Sequence, residues 1–312
     1  MRVVVTGGAG FIGANLCRRL LATPQVTDVV VIDDFSTGNP ANLAGLPVSV
    51  TEGSILDVAL LDSVCRGADA IVHLAALGSV PRSVAAPLPT HEVNTTGTVN
   101  VLEAARRNGM LHTIVAGSSS VYGANPTLPK HEDLATRPMS PYAASKLATE
   151  AYALAWGQSY QLPTLAFRFF NVYGPLQAAG HPYAAVIPRF VDAALSEQPV
   201  TIYGDGANSR DFTYVGTLTA VLCEALVRRV TSPDPVNLAF GTRCSLLELV
   251  GQLESILGRA VATSHERPRP GDVLHSQADN ARLMALFPDV VPVPLGNGLR
   301  ATVEWMRSTR AA

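Results

Sequence analysis

Two spacings alternate along the first half of the chain. Short, mostly apolar runs at residues 3–5, 29–32, 48–50, 70–74, 112–116 and 164–170 read as strands buried on both faces. Residues 11–21, 95–108 and 142–160 read as helices, the second closing near Gly109 and the third rich in alanine. Strands alternating with helices predict an α/β architecture, a parallel sheet covered on both sides. After Asn171 the texture changes, because Gly174, Pro175, Gly180, Pro182 and Pro188 cut the pattern into short pieces. A smaller lobe is expected to start there. Residues 236–240 look like a late strand returning to the main sheet, 246–257 like an amphipathic helix outside it, and 268–271 like a proline-rich loop of the smaller lobe.

The turn between the first strand and the first helix reads Thr6-Gly7-Gly8-Ala9-Gly10-Phe11-Ile12-Gly13. Gly7 permits a tight turn, Gly10 lets backbone N–H groups approach a pyrophosphate, and Gly13 lets the helix pack closely on the strand. The positive helix end would face the anion. By itself such a turn also serves as an ordinary strand-to-helix connection. The second strand, however, ends in Asp33, about twenty residues after the glycines, where a carboxylate accepts hydrogen bonds from a dinucleotide ribose. That charge would repel the extra phosphate of NADP, so NAD is the expected cofactor. The expected fold is a doubly wound parallel sheet of the Rossmann kind, residues 1–170 and 211–242, with a smaller α/β C-terminal substrate lobe, residues 171–210 and 243–312.

Composition narrows the partners. The 312 residues are 47% hydrophobic, enough for a substantial core, and the net charge of −2 argues against nucleic-acid binding. Basic residues are thinly spread, so an anion site must be built from individually placed groups such as Arg210 or Arg269. Cys17, Cys65, Cys223 and Cys244 form no Cys-x-x-Cys pair, which makes a zinc site or a disulfide framework improbable. The chain enters a strand at once and has no apolar run of membrane length, so a cytoplasmic protein without membrane contact is expected. No metal-binding motif is visible among the histidines or the acidic residues.

Tyr142-Ala143-Ala144-Ser145-Lys146 places a phenol and an ammonium four residues apart, on one face of a helix. The ammonium and the positive nicotinamide ring of NAD would both lower the phenol pKa toward neutrality, making Tyr142 a general base. Gly117-Ser118-Ser119-Ser120 lies at the carboxyl end of a predicted parallel strand, the edge where ligands bind in doubly wound sheets. Hydroxyls there can share the proton in flight. Glycine turn, ribose carboxylate, serine loop and Tyr-x-x-x-Lys thus follow one another in working order.

These residues make the chain resemble the extended short-chain dehydrogenase/reductases, in the NAD-dependent epimerase/dehydratase branch that acts on nucleotide sugars. The resemblance rests further on Val72-His73-Leu74-Ala75-Ala76, Asn94 with Gly97-Thr98, Val121-Tyr122-Gly123, Arg168-Phe169-Phe170-Asn171-Val172-Tyr173-Gly174-Pro175, Gly204-Asp205-Gly206, Ser209-Arg210-Asp211-Phe212 and Arg269-Pro270-Gly271-Asp272. It implies a catalytic set of Ser118, Tyr142 and Lys146. It implies NAD contacts at Gly7, Gly10, Phe11, Ile12, Gly13, Asp33, Asp34, Ser36, Thr37, Gly38, Ser54, Ile55, Leu74, Ala75, Ala76, Asn94 and Phe169, besides Tyr142 and Lys146. Ser54 stands where family members often carry an aspartate, which affects the adenine contact. On the substrate side the resemblance implies Val80, Ser118, Ser119, Ser120, Asn171, Ala185, Val186, Tyr203, Arg210, Arg269 and Asp272, with the arginines on the diphosphate of a UDP-sugar and Tyr203 beside the uracil. It also implies a homodimer built on the helices near 95–108 and 142–160.

Dehydratases of this branch carry Asp-Glu after the catalytic hydroxyl, and here those positions are Ser119 and Ser120. Elimination of water lacks its acid and base. What remains is reversible oxidation at one carbon, so the expected activity is 4-epimerisation of a UDP-hexose through a transient 4-ketose. UDP-glucose and UDP-N-acetylglucosamine are both candidates. A small Ser276 and the segment 183–188 resemble epimerases that accept N-acetylated sugars. A UDP-glucuronate 4-epimerase, or another oxidoreductase or dehydratase of the family, is the alternative, with Arg82 or Arg189 as the cation for a uronate.

Overall fold

The computed structural model describes residues 1–180, 184–267 and 274–311. In chain order the elements are β1 (Arg2–Thr6), α1 (Phe11–Leu21), β2 (Asp28–Asp33), β3 (Ser49–Glu52), α2 (Val58–Cys65), β4 (Ala70–His73), α3 (Val80–Ala85), α4 (Pro87–His91), α5 (Gly97–Arg107), β5 (His112–Ser118), α6 (Pro141–Tyr160) and β6 (Thr164–Phe169). They continue with β7 (Val172–Tyr173), α7 (Val186–Leu195), β8 (Val200–Tyr203), β9 (Ser209–Arg210), β10 (Thr213–Tyr214), α8 (Val215–Val227), β11 (Val236–Leu238), β12 (Cys244–Ser245), α9 (Leu246–Leu257), β13 (Thr263–Glu266), α10 (Ala281–Leu286) and α11 (Leu295–Ala311).

The chain divides into two compact units. The first comprises residues 1–125, 135–169 and 219–237, the second residues 126–134, 170–218 and 238–312. A seven-stranded sheet in the order β11-β6-β5-β4-β1-β2-β3 forms the centre of the first unit. The pairs from β6 to β3 are parallel, with Thr6 opposite both Ile32 and His73. This order puts the carboxyl ends of β1, β2, β4 and β5 along one edge. The apolar runs form strands because both faces are covered: Val4, Val30, Ile32, Ile71 and Val115 share one core with Leu61, Val101, Leu102 and Ala153 from the helices. Each such fully buried aliphatic side chain contributes roughly 1.5–3 kcal/mol.

The helix predicted from Thr95 begins differently. Residues Glu92–Thr96 form one π-helical turn and the regular helix starts at Gly97. Such a turn bulges the backbone and turns Asn94 inward. The strand expected at 236–240 ends at Leu238. Helix α6 starts where expected, because Ser140 Oγ caps Ala143 N at 3.1 Å and Pro141 occupies the first turn.

The second unit has its own core, in which Ile187, Phe190 and Val191 of α7 meet Val200, Ile202, Leu249, Leu253, Leu299 and Val303. Its strands pair in twos: β7 with β10, β8 with β13, and β9 with β12. Residues 126–134 join this unit through Lys130, whose N–H donates to Gln277 O at 2.7 Å and whose carbonyl accepts from Asp279 N at 2.8 Å. Among the described residues no helix is long and apolar enough to cross a membrane, and no group of three His, Cys, Asp or Glu could hold a metal. All four cysteines are free and buried.

Candidate functional site

On the cofactor side, Gly7 adopts φ +71°, and a Cβ there would lie 2.7 Å from Ala75 N. A Cβ on Gly13 would collide with Gly7 O and Gly8 Cα, so the start of α1 lies directly on the turn. Phe11 and Ile12 open that helix, whose first N–H groups have no side-chain cap. The arrangement presents backbone donors to a phosphate. Asp33 ends β2 and is buried; its Oδ2 accepts from Ala9 N and its Oδ1 from Phe35 N, each at 2.9 Å. Burial pushes its carboxyl above the usual range, and the two backbone bonds oppose the shift. One lone pair on each oxygen remains for a ribose hydroxyl.

Asp34 Oδ1 accepts from Ser36 N and Ser36 Oγ, which shapes the turn through Ser36, Thr37 and Gly38. Ser54 Oγ caps Leu56 N, while Ile55 is buried against Gly97. Leu74 N and Ala75 N both donate to Thr6 Oγ1 at 3.2 Å, so residues 74–76 lie along the glycine turn. Phe169 ends β6, and Val80 opens α3 in an exposed position. The donors, the carboxylate and the crowded glycines fit a dinucleotide.

The three candidate catalytic residues come from β5 and α6. Ser120 N and Ser120 Oγ donate to Ser118 Oγ at 3.2 and 2.9 Å. Ser118 Oγ therefore accepts twice and its own proton is free to donate to Tyr142, with which it is hydrogen-bonded. The order Ser120 to Ser118 to Tyr142 is a chain of neutral hydroxyls ending on the phenol. Lys146 is buried one turn along α6, where its Nζ donates to Ala116 O at 2.8 Å.

Burial pushes the Tyr142 phenol above its usual value, opposed by the bond from Ser118, and burial lowers Lys146 to about 8. Desolvation of both groups outweighs the attraction expected from their spacing.

Two buried networks hold this edge, and single residues in the sequence did not announce them. Thr98 Oγ1 donates to Asn94 O at 2.6 Å, so His73 Nε2 donates to Thr98 at 3.0 Å and His73 Nδ1 accepts from Thr6 Oγ1 at 2.8 Å. The imidazole is neutral and fixed in one tautomer; burial, helped by the Lys146 charge, lowers its pKa to about 3. Asn94 exchanges bonds with Leu77 N and O and donates to Ser145 Oγ at 3.0 Å, and Ser145 donates to Tyr142 O. The glycine turn is thereby linked to the start of α6.

In the second network Arg168 forms a two-pronged pair with Glu150, both bonds 2.7 Å, and donates to Tyr122 Oη at 2.8 Å. Tyr122 in turn donates to Asn237 Oδ1 at 2.7 Å. Arg168 and Tyr122 were visible as parts of motifs. Glu150 could have been found as the residue four after Lys146, on the same helix face.

In the second unit Asn171, Ala185, Val186, Tyr203 and Arg210 line one cavity of about 270 Å³. Arg189, a candidate cation for a uronate, lines it too, as do Gln177, Thr201 and Phe190, which sequence reasoning had not gathered. Arg210 does not depend on Asp211 beside it: its Nη1 donates to Ser209 O at 3.0 Å and Leu274 O at 3.2 Å. Asp211 points elsewhere, accepting from Ala278 N at 3.0 Å and Thr242 Oγ1 at 2.9 Å, while its carbonyl accepts from Asn171 Nδ2 at 3.0 Å. Burial raises Asp211 to about 6. Ser276 N donates to Ser209 O at 3.0 Å, which sets that small residue beside β9. Arg269, Asp272 and Tyr183 lie outside the described residues.

The profile of the NAD dependent epimerase/dehydratase family matches residues 3–239. A UDP-glucose 4-epimerase of Mycolicibacterium smegmatis is 36% identical over 99% of both chains. The solved UDP-N-acetylglucosamine 4-epimerase of Methanobrevibacter ruminantium, in complex with UDP-N-acetylmuramic acid, superposes with a TM-score of 0.92 at 35% identity, covering 99% of this chain and 98% of that one. A UDP-glucuronic acid 4-epimerase of Bacillus cereus, solved with UDP-glucuronic acid and NAD, gives 0.89 at 30% identity, over 99% and 100% of the two chains.

Proposed function

The chain belongs to the NAD dependent epimerase/dehydratase family, whose members include NAD-dependent UDP-sugar 4-epimerases and related dehydratases, and on that premise we propose that it inverts C4 of a UDP-hexose. The observation that carries this reading is the hydroxyl chain Ser120 to Ser118 to Tyr142. It moves a proton to or from one oxygen and offers no carboxylate after Ser118 for the elimination of water.

Bound NAD supplies a reversible hydride acceptor. Tyr142, as the phenolate, takes the proton of the sugar 4-hydroxyl at Oη and becomes the neutral phenol, and before that transfer Ser118 steadies the phenolate by donating to it. Burial pushes the phenol up in the protein alone, and the nicotinamide charge of bound NAD favours the phenolate. Asp33 holds the ribose, and the bonds from Ala9 and Phe35 keep its carboxylate oriented. Asn171 and Arg210 hold the diphosphate and Tyr203 the uracil, which anchors the nucleotide while the 4-ketose turns its other face.

N-acetylated sugars are favoured by the small Ala185 and Ser276, which leave room for the acyl group. The aromatic row Tyr152, Trp156 and Tyr160 along α6, with ring centroids 5.7 and 5.4 Å apart, supports a homodimer through that helix. The test is a substrate panel of UDP-glucose, UDP-N-acetylglucosamine and UDP-glucuronate with the products resolved by NMR. C4 epimers of the neutral sugars are expected; conversion of UDP-glucuronate alone would overturn the choice of sugar.

A further inference from the structure

Tyr122, Glu150, Arg168 and Asn237 take no part in the proton transfer proposed above, yet all four are buried polar side chains of the first unit. Tyr122 is the last residue of a single 3-10 turn, Ser119–Tyr122, that Ser118 opens. Its ring centroid lies 4.8 Å from the Arg168 guanidinium carbon, and its Oη accepts from Arg168 Nη1 at 2.8 Å and donates to Asn237 Oδ1 at 2.7 Å. Glu150 takes the other two prongs of Arg168, each bond 2.7 Å, and stands on α6 one turn after Lys146. The Tyr122 side chain is thereby tied to β6, β11 and, through Arg168, α6. Backbone bonds fix where the turn ends: Gly123 N donates to Ser120 O at 3.1 Å and Arg137 N to Val121 O at 3.0 Å. Gly123 has φ +43°, and a Cβ there would overlap Arg137 O.

Ser118 Oγ takes both of its bonds from Ser120 inside this turn, so a turn that shifts carries Ser118 with it. A buried arginine and its carboxylate add little net stability over apolar side chains of the same size. What they supply here is geometry, and a catalytic hydroxyl tolerates misplacement of only about 0.5 Å. We propose that Tyr122 is a positioning residue, clamped between Arg168 and Asn237 so that Ser118 stays within hydrogen-bonding reach of Tyr142. The inference rests on the reading of Ser118 and Tyr142 as the proton pathway.

The test is the pH profile of kcat for the holoenzyme with UDP-glucose and UDP-N-acetylglucosamine, comparing the wild type, Tyr122→Phe and Ser118→Ala. Tyr122→Phe removes both bonds at Oη and keeps the ring. The bond from Ser118 holds the Tyr142 phenol down against burial, so a loosened Ser118 raises the pH at which the phenolate forms. The expected result is an acidic limb moved up by about one pH unit, hence a roughly ten-fold lower kcat at a fixed pH below it, with KM unchanged. Ultraviolet difference titration against Tyr142→Phe reads the same ionisation without turnover. Retained NAD and a cooperative melt check that the variant folds, and Asn237→Ala, which releases the same hydroxyl from its other side, is expected to move the limb in the same direction. A lower kcat on an unshifted limb, the mark of a merely structural loss, would overturn the inference, as would a profile identical to that of the wild type. If Ser118→Ala left the limb in place, the reading of Ser118 itself would fail, an outcome distinct from a limb that moves with Ser118 and ignores Tyr122.

Discussion

The two candidate sites, one in each unit, are built on opposite principles. In the first unit the polar groups behind the candidate catalytic residues are buried and matched: Thr6, His73, Thr98, Asn94 and Ser145 form one chain of defined donors and acceptors, and Arg168 spends three of its N–H groups on Glu150 and Tyr122. In the second unit the cavity holds Arg189 and Arg210 among mostly apolar side chains, with no Asp or Glu among its described lining residues. A reaction that moves a proton along fixed oxygens needs the first arrangement, because a preorganised site does not have to reorient during the step. Binding a charged nucleotide needs the second, because guanidinium groups meet phosphate oxygens two at a time. Buried ion pairs add little net stability relative to an apolar replacement. The Glu150–Arg168 pair is therefore better understood as fixing the register of α6 on β6.

Changes that break the matched side should have the largest effects. Tyr142→Phe removes the terminal oxygen of the hydroxyl chain and should lower kcat by roughly 10²–10⁴-fold while NAD stays bound. Steady-state kinetics with the absorbance of bound cofactor checks both halves of that expectation. Glu150→Ala leaves Arg168 charged and buried, and should cost about 3–5 kcal/mol of stability by thermal or denaturant melting. A loss under 1 kcal/mol would mean that water reaches the pair.

Asp33→Ala should weaken NAD by about ten-fold or more, as expected for a hydrogen bond to a charged group, and should shift preference toward NADP. Dissociation constants for the two cofactors decide it, and an unaltered ratio would refute the ribose role.

The smallest effect separates the two units by pH. His73, lowered from 6.5 to about 3, and His112, also lowered by burial, stay neutral in the folded first unit where the unfolded chain takes up protons. Their contribution to stability therefore falls as pH drops below 6.5 toward 3. Asp211 of the second unit, raised from 3.8 to about 6, has the opposite sign: its contribution is complete below 3.8 and is lost as pH rises through about 6. Hydrogen exchange between pH 7 and 4.5 should show protection falling in β4 and β5 before it falls around residues 240–242.

Much of the first unit was legible in the sequence, for physical reasons that do not extend to the second. Strands β1, β2, β4, β5 and β6 are buried on both faces and so read as apolar runs. The spacing of Ser118, Tyr142 and Lys146 survives in the structure because a strand end and a capped helix start place them. The π-helical turn at Glu92–Thr96 was not legible, since a single wider turn leaves no periodic signature. The two-residue strands β7, β9, β10 and β12 exist only through partners distant in sequence. The burial that opposes ionisation of Tyr142 was not legible, because spacing reveals a neighbouring charge and not desolvation. Arg189 was legible as a candidate cation for a uronate, and the structure places it in the wall of the second unit's cavity.

The central claim is that one hydrogen leaves C4 and returns to the opposite face within the same enzyme. The measurement that tests it is NMR of the products formed in D2O from a UDP-hexose deuterated at C4. The account predicts the C4 epimer with its deuterium retained and no solvent label at C4 or C5. Loss of the C4 label to solvent, or a 4-keto-6-deoxy product carrying solvent label, would contradict it.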